Sequence, residues 1–390
     1  MKNNRTFLEK LLDGSEVEWK PLDEVANIVN NARKPVKSSS RVSGNIPYYG
    51  ANNIQDYVEG YTHEGEFVLI AEDGSASLEN YSIQWAVGKF WANNHVHVVN
   101  GKEKLNNRFL YHYLTNMNFI PFLAGKERAK LTKAKLQQIP IPIPPLSVQT
   151  EIVKILDALT ALTSELTSEL ILRQKQYEYY REKLLSEEEL GKVGFEWKTI
   201  DEISKKISSG GTPTTSNNGY YDNGTIPWLR TQEVDFKEIW DTNIKITEDA
   251  LNNSSAKWIP ANCVIVAMYG ATVGKTAINK IPLTTNQACA NIEINDKLAC
   301  YRYIFHYLTS KYEYIKSLGS GSQTNINAQI IKKLKVPVPP IEEQYRIVSI
   351  LDKFETLTNS ITEGLPLAIE QNQKRYEYYR ELLLNFPSRE

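Results

Sequence analysis

The stretch VAMYGATVGKTAI, residues 266–278, holds the best candidate for phosphate chemistry: Gly270, three residues, then Gly274, Lys275 and Thr276. A phosphate-binding loop needs four residues between its glycine and Gly-Lys-Thr, so that backbone N–H groups wrap the phosphate before a helix begins. The gap here is one short, and position 269, which would restore it, is a tyrosine. The competing reading is a strand, a tight turn of small residues and a second strand, with Lys275 facing another molecule's phosphate or water. Nuclease chemistry would use carboxylates and a lysine around a metal. Glu18-Trp19-Lys20 and Glu196-Trp197-Lys198 have the E-x-K form, but no Pro-Asp precedes either, and packing of the tryptophan is the simpler role. Glu72 and Asp73 offer a metal pair, yet Met268 and Tyr269 stand at the matching positions of the second half. His95 and His97 alternate along one strand, and their counterparts include Ala288 and Ala290. The five histidines form no repeated triad. No Asn-Pro-Pro-Phe or Asp-Pro-Pro-Tyr run and no Gly-rich S-adenosylmethionine turn is present. The sequence therefore predicts no catalytic residue and no metal site in this chain.

With 390 residues, 41% of them hydrophobic, the chain is long enough for two ordinary cores. No run is long and apolar enough to span a bilayer, and MKNNRTFLEKLL lacks a signal core, so a cytoplasmic protein with no membrane partner is expected. Cys263, Cys289 and Cys300 are odd in number and lack ligand spacing, which argues against disulfides and structural zinc. The net charge of −1 gives no global sign of a nucleic-acid partner, but it divides into blocks of +2 (1–145), −3 (146–194), +3 (195–340) and −3 (341–390).

Those blocks are one unit written twice. IPIPPL at 141–146 recurs as VPVPPI at 336–341; VQTEIVKILDALTALT matches EQYRIVSILDKFETLT at the same shift of 195. YEYYREKLL at 177 matches YEYYRELLL at 376, EWKPLDEV matches EWKTIDEI, NIPYY matches TIPWL, and RFLYHYLT matches RYIFHYLT. After each proline run, apolar residues recur at intervals of three and four: Ile152, Ile155, Leu159, Leu162, Leu166, Leu170, Tyr177, Tyr180, and again Ile347, Ile350, Phe354, Leu357, Ile361, Leu365, Tyr376, Tyr379. This spacing predicts two helices of roughly 38 residues, each about 57 Å long, packed together along their stripes. Gly364 and Pro366 should break the second one locally. LEKLLD at 8–13 echoes the ends of both helices, so the repeat is cyclic and the chain ends should meet.

The two globular copies read as α+β: short β-like runs such as GEFVLIAED and CVIVAM among Gly/Asn/Ser loops, followed by one short helix. Basic, amide and hydroxyl residues gather in the loops. Lys and Arg neutralise phosphates, while Arg, Asn, Gln, Ser and Thr read base edges. Candidate DNA contacts are Lys34, Arg41, Tyr48, Asn52, Lys126, Arg128 and Lys130 in the first copy. In the second they are Thr212, Thr214, Arg230, Gln232, Lys275, Asn286, Gln287, Gln323 and Asn325. Two readers in one chain suit a two-part DNA site.

The proline run entering ILDALTALTSELTSEL, the YEYYREKLL end, the cyclic duplication, LEKLLDGSEVEWKPL and GGTP with IPWLR together resemble the specificity subunit of a type I restriction-modification system. The resemblance covers essentially the whole chain. It implies two target-recognition domains (1–146 and 187–341), each reading half of a split asymmetric site on double-stranded DNA. It also implies two spacer helices (147–186 and 342–386) forming an antiparallel coiled coil. Ile155, Leu162, Tyr177, Tyr180, Ile350, Leu357, Tyr376 and Tyr379 would present the partner-binding faces to two methyltransferase subunits, with restriction subunits joining the full complex. No cofactor is expected in this chain; S-adenosylmethionine, ATP and Mg2+ belong to the partner subunits. The alternatives are a P-loop-like ATPase or nuclease, or a coiled-coil scaffold that binds no DNA. One departure is that TSEL occurs twice, at 163–170, in the first helix only. Each such unit adds about 6 Å of rise and about 400° of rotation, and base pairs stack about 3.4 Å apart. Adding or removing one TSEL should therefore shift the spacer by about a base pair and leave both half-sites unchanged. Genome-wide mapping of methylated adenines in cells carrying the variants checks this, and an unchanged spacer in an active variant contradicts it.

Overall fold

The computed structural model describes residues 6–125, 129–319, 325–360 and 362–387. The chain divides into two compact units, one formed by residues 1–167 and 368–390, the other by 168–367. The C-terminal helix thus returns to the unit that the N-terminus begins. Phe7 meets the edge of Tyr379 at 6.4 Å, and Trp19 Nε1 donates to Pro387 O at 3.0 Å.

The first unit is built on a six-stranded sheet in the order Ala26–Ile28, Val96–Gly101, His63–Ala71, Ile83–Ala92, Ser43–Tyr49, Ile54–Val58. All neighbours are antiparallel except Ser43–Tyr49 and Ile83–Ala92, where Tyr48 and Tyr49 pair in parallel with Trp91 and Ala92. FVLIA within GEFVLIAED supplies the central strand, and Val68 to Ala71 are fully buried because both faces of it are covered. The second unit splits the same plan into two sheets. Five strands run Ser204–Ser209, Cys289–Ile294, Val264–Ala267, Thr276–Asn279, Lys237–Ile239, and four run Lys245–Ile246, Ile226–Leu229, Leu283–Thr285, Trp258–Ile259. Ile226–Leu229 and Leu283–Thr285 repeat the parallel pair of the first unit, with Trp228 opposite Thr284.

Each proline run is a strand before it is a helix start. Pro140–Ile143 pairs with Glu18–Pro21, and Lys335–Val338 with Glu196–Thr199, as isolated two-stranded ladders where a missing N–H is tolerated. In both, the E-x-K residues close on each other: Lys20 Nζ lies 2.8 Å from Glu18, and Lys198 Nζ 2.8 Å from Glu196. They are surface ion pairs within one strand, not a nuclease triad.

The first long helix is unbroken over Leu146–Leu184, 39 residues. The second stops at Ile341–Asn359 and restarts as Leu365–Leu384. Gly364 has φ +89°, and a Cβ there would lie 2.6 Å from Thr356 O, so only glycine makes this turn; Pro366 follows in the first turn of the new helix. In the first unit, Asn372 is buried and its Nδ2 donates to Leu159 O and Thr163 Oγ1, both at 2.8 Å. In the second, Phe354 stacks on Tyr180 at 5.5 Å and tilts against Tyr177 at 6.4 Å.

Each globular body is locked to its long helix by the same two devices. The short helix Asn107–Thr115 presents Arg108 and His112 one turn apart, and both reach Asp157: Arg108 Nε at 2.8 Å and His112 Nε2 at 2.8 Å. In the second unit, Tyr301–Ser310 presents Arg302 and His306 to Asp352, at 2.9 and 2.8 Å. This is a repeated Arg-His-Asp constellation, and it corrects the expectation that the histidines form no repeated triad. The second device is a fully buried glutamine. Gln149 Oε1 accepts from Asn106 N at 2.8 Å while its Nε2 donates to Pro144 O at 2.8 Å and Lys104 O at 3.0 Å. Gln344 likewise accepts from Cys300 N at 2.8 Å and donates to Pro339 O at 2.9 Å. Around these contacts Ile152, Leu156, Ile347 and Leu351 are fully buried against the globular cores.

Burial pushes the Asp157 carboxyl up, but hydrogen bonds from Arg108 and His112 outweigh it and hold it below the ordinary 3.8. Burial takes His112 below the ordinary 6.5 despite Asp157. Both folded values lie under their unfolded ones, so the unfolded chain binds more protons. The stability tied to the buried neutral His112 is fully present above pH 6.5 and is lost as pH falls through its folded value, whereas that tied to ionised Asp157 is fully present above pH 3.8 and is lost only as pH falls through its own folded value. Because Asp157 raises His112, Asp157→Asn should lower His112 further, so we expect the urea-midpoint difference between wild type and the variant to widen from pH 7.5 to about pH 5 and to collapse only as Asp157 itself is protonated below pH 3.8; a difference that shrinks steadily between pH 7.5 and 5 would contradict the assignment. Gln344→Leu should cost about 2 kcal/mol or more, because the Cys300 N–H and Pro339 C=O are left buried without partners, measurable as a lowered unfolding midpoint at unchanged m-value.

Candidate nucleic-acid interface

The hairpin that opened the sequence question is a strand, a turn and a strand. Val264–Ala267 pairs antiparallel with Thr276–Asn279, and Gly270 and Gly274 take φ of +85° and +83° in the turn between them. No helix follows to cradle a phosphate. Thr276 is buried with its hydroxyl bonded to Thr309 at 2.7 Å, and Lys275 Nζ pairs with Asp235 at 2.6 Å.

In the second unit the loops around this hairpin converge. Asn286 N donates to Leu229 O at 2.9 Å, which sets Asn286 beside Arg230; Gly211 N donates to Thr285 O at 2.9 Å, and Thr212 Oγ1 bonds Gln287. A Cβ on Gly210 would lie 1.8 Å from Thr285 O, so the GGTP glycines are there for close backbone approach. Thr272 Oγ1 donates to Thr231 O at 2.7 Å, and Ile326 N to Met268 O at 3.0 Å, which brings Asn325 to the same edge. Thr212, Arg230, Gln232, Asn286, Gln287 and Asn325 thus form one loop cluster, with Thr214 exposed a short way along the chain. Arg230 Nε, Asn286 Oδ1 and Asn325 Oδ1 are buried and have no hydrogen-bond partner among the described residues. Lys275, tied to Asp235, belongs to a neighbouring ion pair rather than to the cluster's unpaired donors.

The first unit gathers the matching loops. Asn93 N donates to Tyr49 O as Asn286 N does to Leu229 O, and Leu131 N donates to Glu72 O as Ile326 N does to Met268 O. Lys130 is therefore the counterpart of Asn325. A groove of about 760 Å³ is lined by Asn52, Gln55, Asp73, Gly74, His95 and Lys130. Its floor is a charge network: Glu72 accepts from Arg33 at 2.7 Å and Lys130 at 2.9 Å, and His95 Nδ1 lies 2.5 Å from Asp73. Burial would raise the Glu72 carboxyl, but those hydrogen bonds hold it below the usual carboxylate range. Asn52 spans the rim, donating to Gly74 O and accepting from Ala76 N, both at 2.8 Å. Lys34 is exposed over the Trp91 ring at 5.9 Å.

Two first-unit candidates are corrected. Tyr48 is 1% exposed, and its hydroxyl accepts from Val36 N at 3.0 Å, so the ring is core. Arg41 lies over that ring at 4.1 Å and bonds Val36 O at 3.2 Å and Asp56 at 3.3 Å; its guanidinium is spent inside the domain. Lys126, Arg128 and Gln323 lie outside the described residues. Sequence reasoning missed Asn93 and Asn94, although ANNHVHVVN aligns with TNQACANIEIN and places them opposite Asn286 and Gln287.

The helix residues expected to face partners are largely turned inward. Ile155, Tyr376 and Tyr379 pack on the first core, Tyr177 on the second, and Tyr180 stacks on Phe354. Ile350 and Leu357 are half-buried; Leu162 remains 38% exposed and Tyr180 41%. Part of the period-3/4 stripe packs on the chain's own globular bodies and part on the other long helix, as at Leu159 with Asn372 and Phe354 with Tyr180, which explains its apolar character.

Among the described residues, His306, Asp352 and Glu355 bring possible metal-ligand atoms within 4.8 Å of one another. The Arg302 guanidinium sits among them, 2.9 Å from Glu355 and also bonded to Glu238, so a fixed cation already occupies the space between the carboxylates. Burial pushes the Cys263 thiol up to about 12, which leaves it unreactive near neutral pH.

Comparison with known proteins fits this duplicated arrangement. A family model described as the type I restriction modification DNA specificity domain matches residues 14–173 and 192–371. The chain belongs to the type I restriction-modification DNA specificity family. This specificity chain is 64% identical over 400 residues to a putative type I restriction enzyme specificity subunit of Haemophilus influenzae, covering 99% of the chain and 100% of the relative. It is 38% identical over 404 residues to the EcoR124I/EcoR124II specificity subunit of Escherichia coli, with 99% and 98% covered. In fold it is similar to the S subunit of a type I restriction-modification system from M. genitalium: TM-score 0.61 at 15% identity, over 100% of this chain and 99% of that one. The family role is DNA specificity, not catalysis, and neither the ATPase nor the nuclease alternative is supported. No helix among the described residues is long and apolar enough to cross a membrane.

The hairpin geometry makes a definite statement about Lys275. Lys275→Ala should leave the ATP turnover of an assembled restriction complex unchanged and the purified chain without ATPase activity, checked by phosphate release; turnover by the purified chain that disappears in the variant would overturn the hairpin reading.

Proposed function

We propose that this chain is the DNA-reading subunit of its complex, in which the loop cluster of each unit reads one half of a bipartite, asymmetric site on double-stranded DNA. The observation that carries the reading is the contrast within the duplication. The clamps Arg108-His112-Asp157 and Arg302-His306-Asp352 are repeated residue for residue, while the loops they hold in place are chemically different. A common scaffold with divergent loops is what two readers of different half-sites require. In the first unit Lys34 and Lys130 supply charge toward phosphates, with Asn52 and Asn94 as amide readers. In the second, Arg230, Asn286, Gln287 and Asn325 offer the guanidinium and amide chemistry that pairs bidentately with guanine and adenine. The unpartnered Arg230 Nε, Asn286 Oδ1 and Asn325 Oδ1 support this, because buried polar atoms normally find a hydrogen bond and base edges offer one.

In the same reading, residues 147–186 and 342–386 act as antiparallel spacer helices that fix half-site separation and dock two methyltransferase subunits, to which restriction subunits add in the full complex. With much of the stripe turned inward, docking falls to the exposed helix residues, Leu162 of the stripe itself together with Ile171, Leu172, Tyr179 and Tyr378, which are between 38% and 61% exposed. The domains are 1–146 and 187–341. The chain carries no cofactor of its own; S-adenosylmethionine, ATP and Mg2+ serve the partner subunits, and the cytoplasm is the compartment where such a complex meets DNA. A scaffold without a DNA role is the weaker reading, since a pure scaffold has no use for two divergent loop clusters.

The test is half-site selective. In the assembled methyltransferase, Arg230→Ala and Asn286→Ala should each weaken recognition by about 1–3 kcal/mol, or 5- to 150-fold, and relax sequence preference in one half-site only. Asn94→Ala should relax preference in the other half-site, whereas Lys130→Ala should weaken binding without changing which sequences are preferred. Methylation of a randomised-site library, read by sequencing, separates the outcomes; loss of preference in both half-sites from a single variant would refute modular reading.

A further inference from the structure

The duplication leaves a tryptophan capped by the C-terminal segment in the first unit and half-exposed in the second, where Trp197 meets the edge of Phe195 at 5.5 Å. In the first unit, Trp19 packs edge-on to Tyr113 at 6.4 Å, and its Nε1 donates to the backbone of Pro387. The preceding Phe386 is 5% exposed and meets Phe109 at 6.0 Å. A Phe-Pro segment in extended conformation, running on from YEYYRELLL, therefore caps this tryptophan. The corresponding residues of the second unit are Trp197, Tyr303 and Tyr307, which follow from the EWKP/EWKT and RFLYHYLT/RYIFHYLT matches. There, after YEYYREKLL, the chain turns at Ser186 straight into the helix Glu187–Gly191 and provides no Phe-Pro segment.

Trp197 is accordingly 45% exposed, and Tyr314 beside it 59%. They line a groove of about 850 Å³ whose apolar floor includes Tyr307 and Leu308 and whose rim carries Lys311, Lys333 and Lys335. Nearby Lys198 and Lys332 are paired with Glu196 and Asp201, whereas the three rim lysines form no salt bridge among the described residues. An apolar slot of this volume takes a peptide anchor. A rim of uncompensated ammonium groups selects acidic flanks and excludes basic ones.

The geometry points to a docking site for an extended segment of another polypeptide, one presenting a Phe-Pro pair between carboxylate side chains and laying it in the groove over Trp197, Tyr307 and Tyr314, as Pro387 lies at Trp19; the niche of Phe386 itself is closed in the second unit, where Tyr303 is fully buried. The segment comes from a partner protein, because this chain's own Phe386-Pro387 is engaged in the first unit.

The experiment uses the full-length chain and a fluorescein-labelled peptide, Glu-Asp-Leu-Asn-Phe-Pro-Asp-Glu, followed by fluorescence anisotropy. We expect saturable binding that falls at least tenfold when the peptide's Phe is replaced by Ala. A similar fall is expected when its four acidic residues are replaced by Asn and Gln, or when the protein carries Lys333→Glu with Lys335→Glu. Trp197→Ala should do the same, and because peptide variants act on unaltered protein, the reading does not depend on how that variant folds. Absence of saturable binding, or equal binding of the Phe→Ala peptide, overturns the proposal. Complete displacement of the peptide by a random-sequence duplex also overturns it, by assigning the lysines to phosphates.

Discussion

Everything else in each unit hangs on one carboxylate. Asp157 and Asp352 project from the long helices and accept from an arginine and a histidine on the short helix that closes each globular body. The histidines are buried, so the contact is sheltered from water and each hydrogen bond is correspondingly directional. A surface ion pair would contribute little. Here the pair is joined to a buried glutamine, whose amide satisfies the first N–H of the short helix and the carbonyl of the proline run together. Strand, short helix and long helix are thus fixed at one point, and the loops at the sheet's other elements are free to differ.

The two copies are not equally strict. Arg302 serves Asp352, Glu355 and Glu238, whereas Arg108 serves Asp157 and lies over Trp85 and Tyr111 at 5.1 and 4.6 Å. Burial raises Glu355 above the ordinary carboxylate value even with Arg302 in contact, so the second clamp holds more acid than one guanidinium neutralises. The helices differ too: one runs unbroken through residues 146–184, the other breaks at Gly364. Where the polar Asn372 enters the helix seam, it donates twice to Leu159 and Thr163. A buried amide of this kind makes one alignment of two helices better than its neighbours at some cost in apolar contact.

Most of the architecture was legible as repetition and period. IPIPPL/VPVPPI, RFLYHYLT/RYIFHYLT and the ILD motifs located the two units, the short helices and the long ones, and Gly364-Leu365-Pro366 located the break. The candidate site was legible in part. Arg230, Asn286, Gln287 and Asn325 converge within the second unit, and Asn52 and Lys130 within the first, because loops flanking adjacent strands must come together at the sheet's end. Tyr48 and Arg41 do not serve there. A tyrosine next to Pro47 in a loop-rich segment looks exposed, and only the strand pairing to Trp91 shows that it points into the core.

What the sequence by itself determined is the set of local preferences: helical period after each proline run, β-branched strand cores, glycines where backbones approach, and two copies of each. These follow from backbone geometry and burial, which a residue's near neighbours already dictate. What only the tertiary structure decided is pairing across distance. Both halves of the Arg-His-Asp clamp were visible as repeats 45 to 49 residues apart, yet nothing local says that His112 and Arg108 share Asp157. The same holds for the apolar stripe, whose period announced burial without saying against what. Periodicity specifies that a face must leave water; which surface covers it is set by the closure of long loops, and that choice is made only when the whole chain has packed.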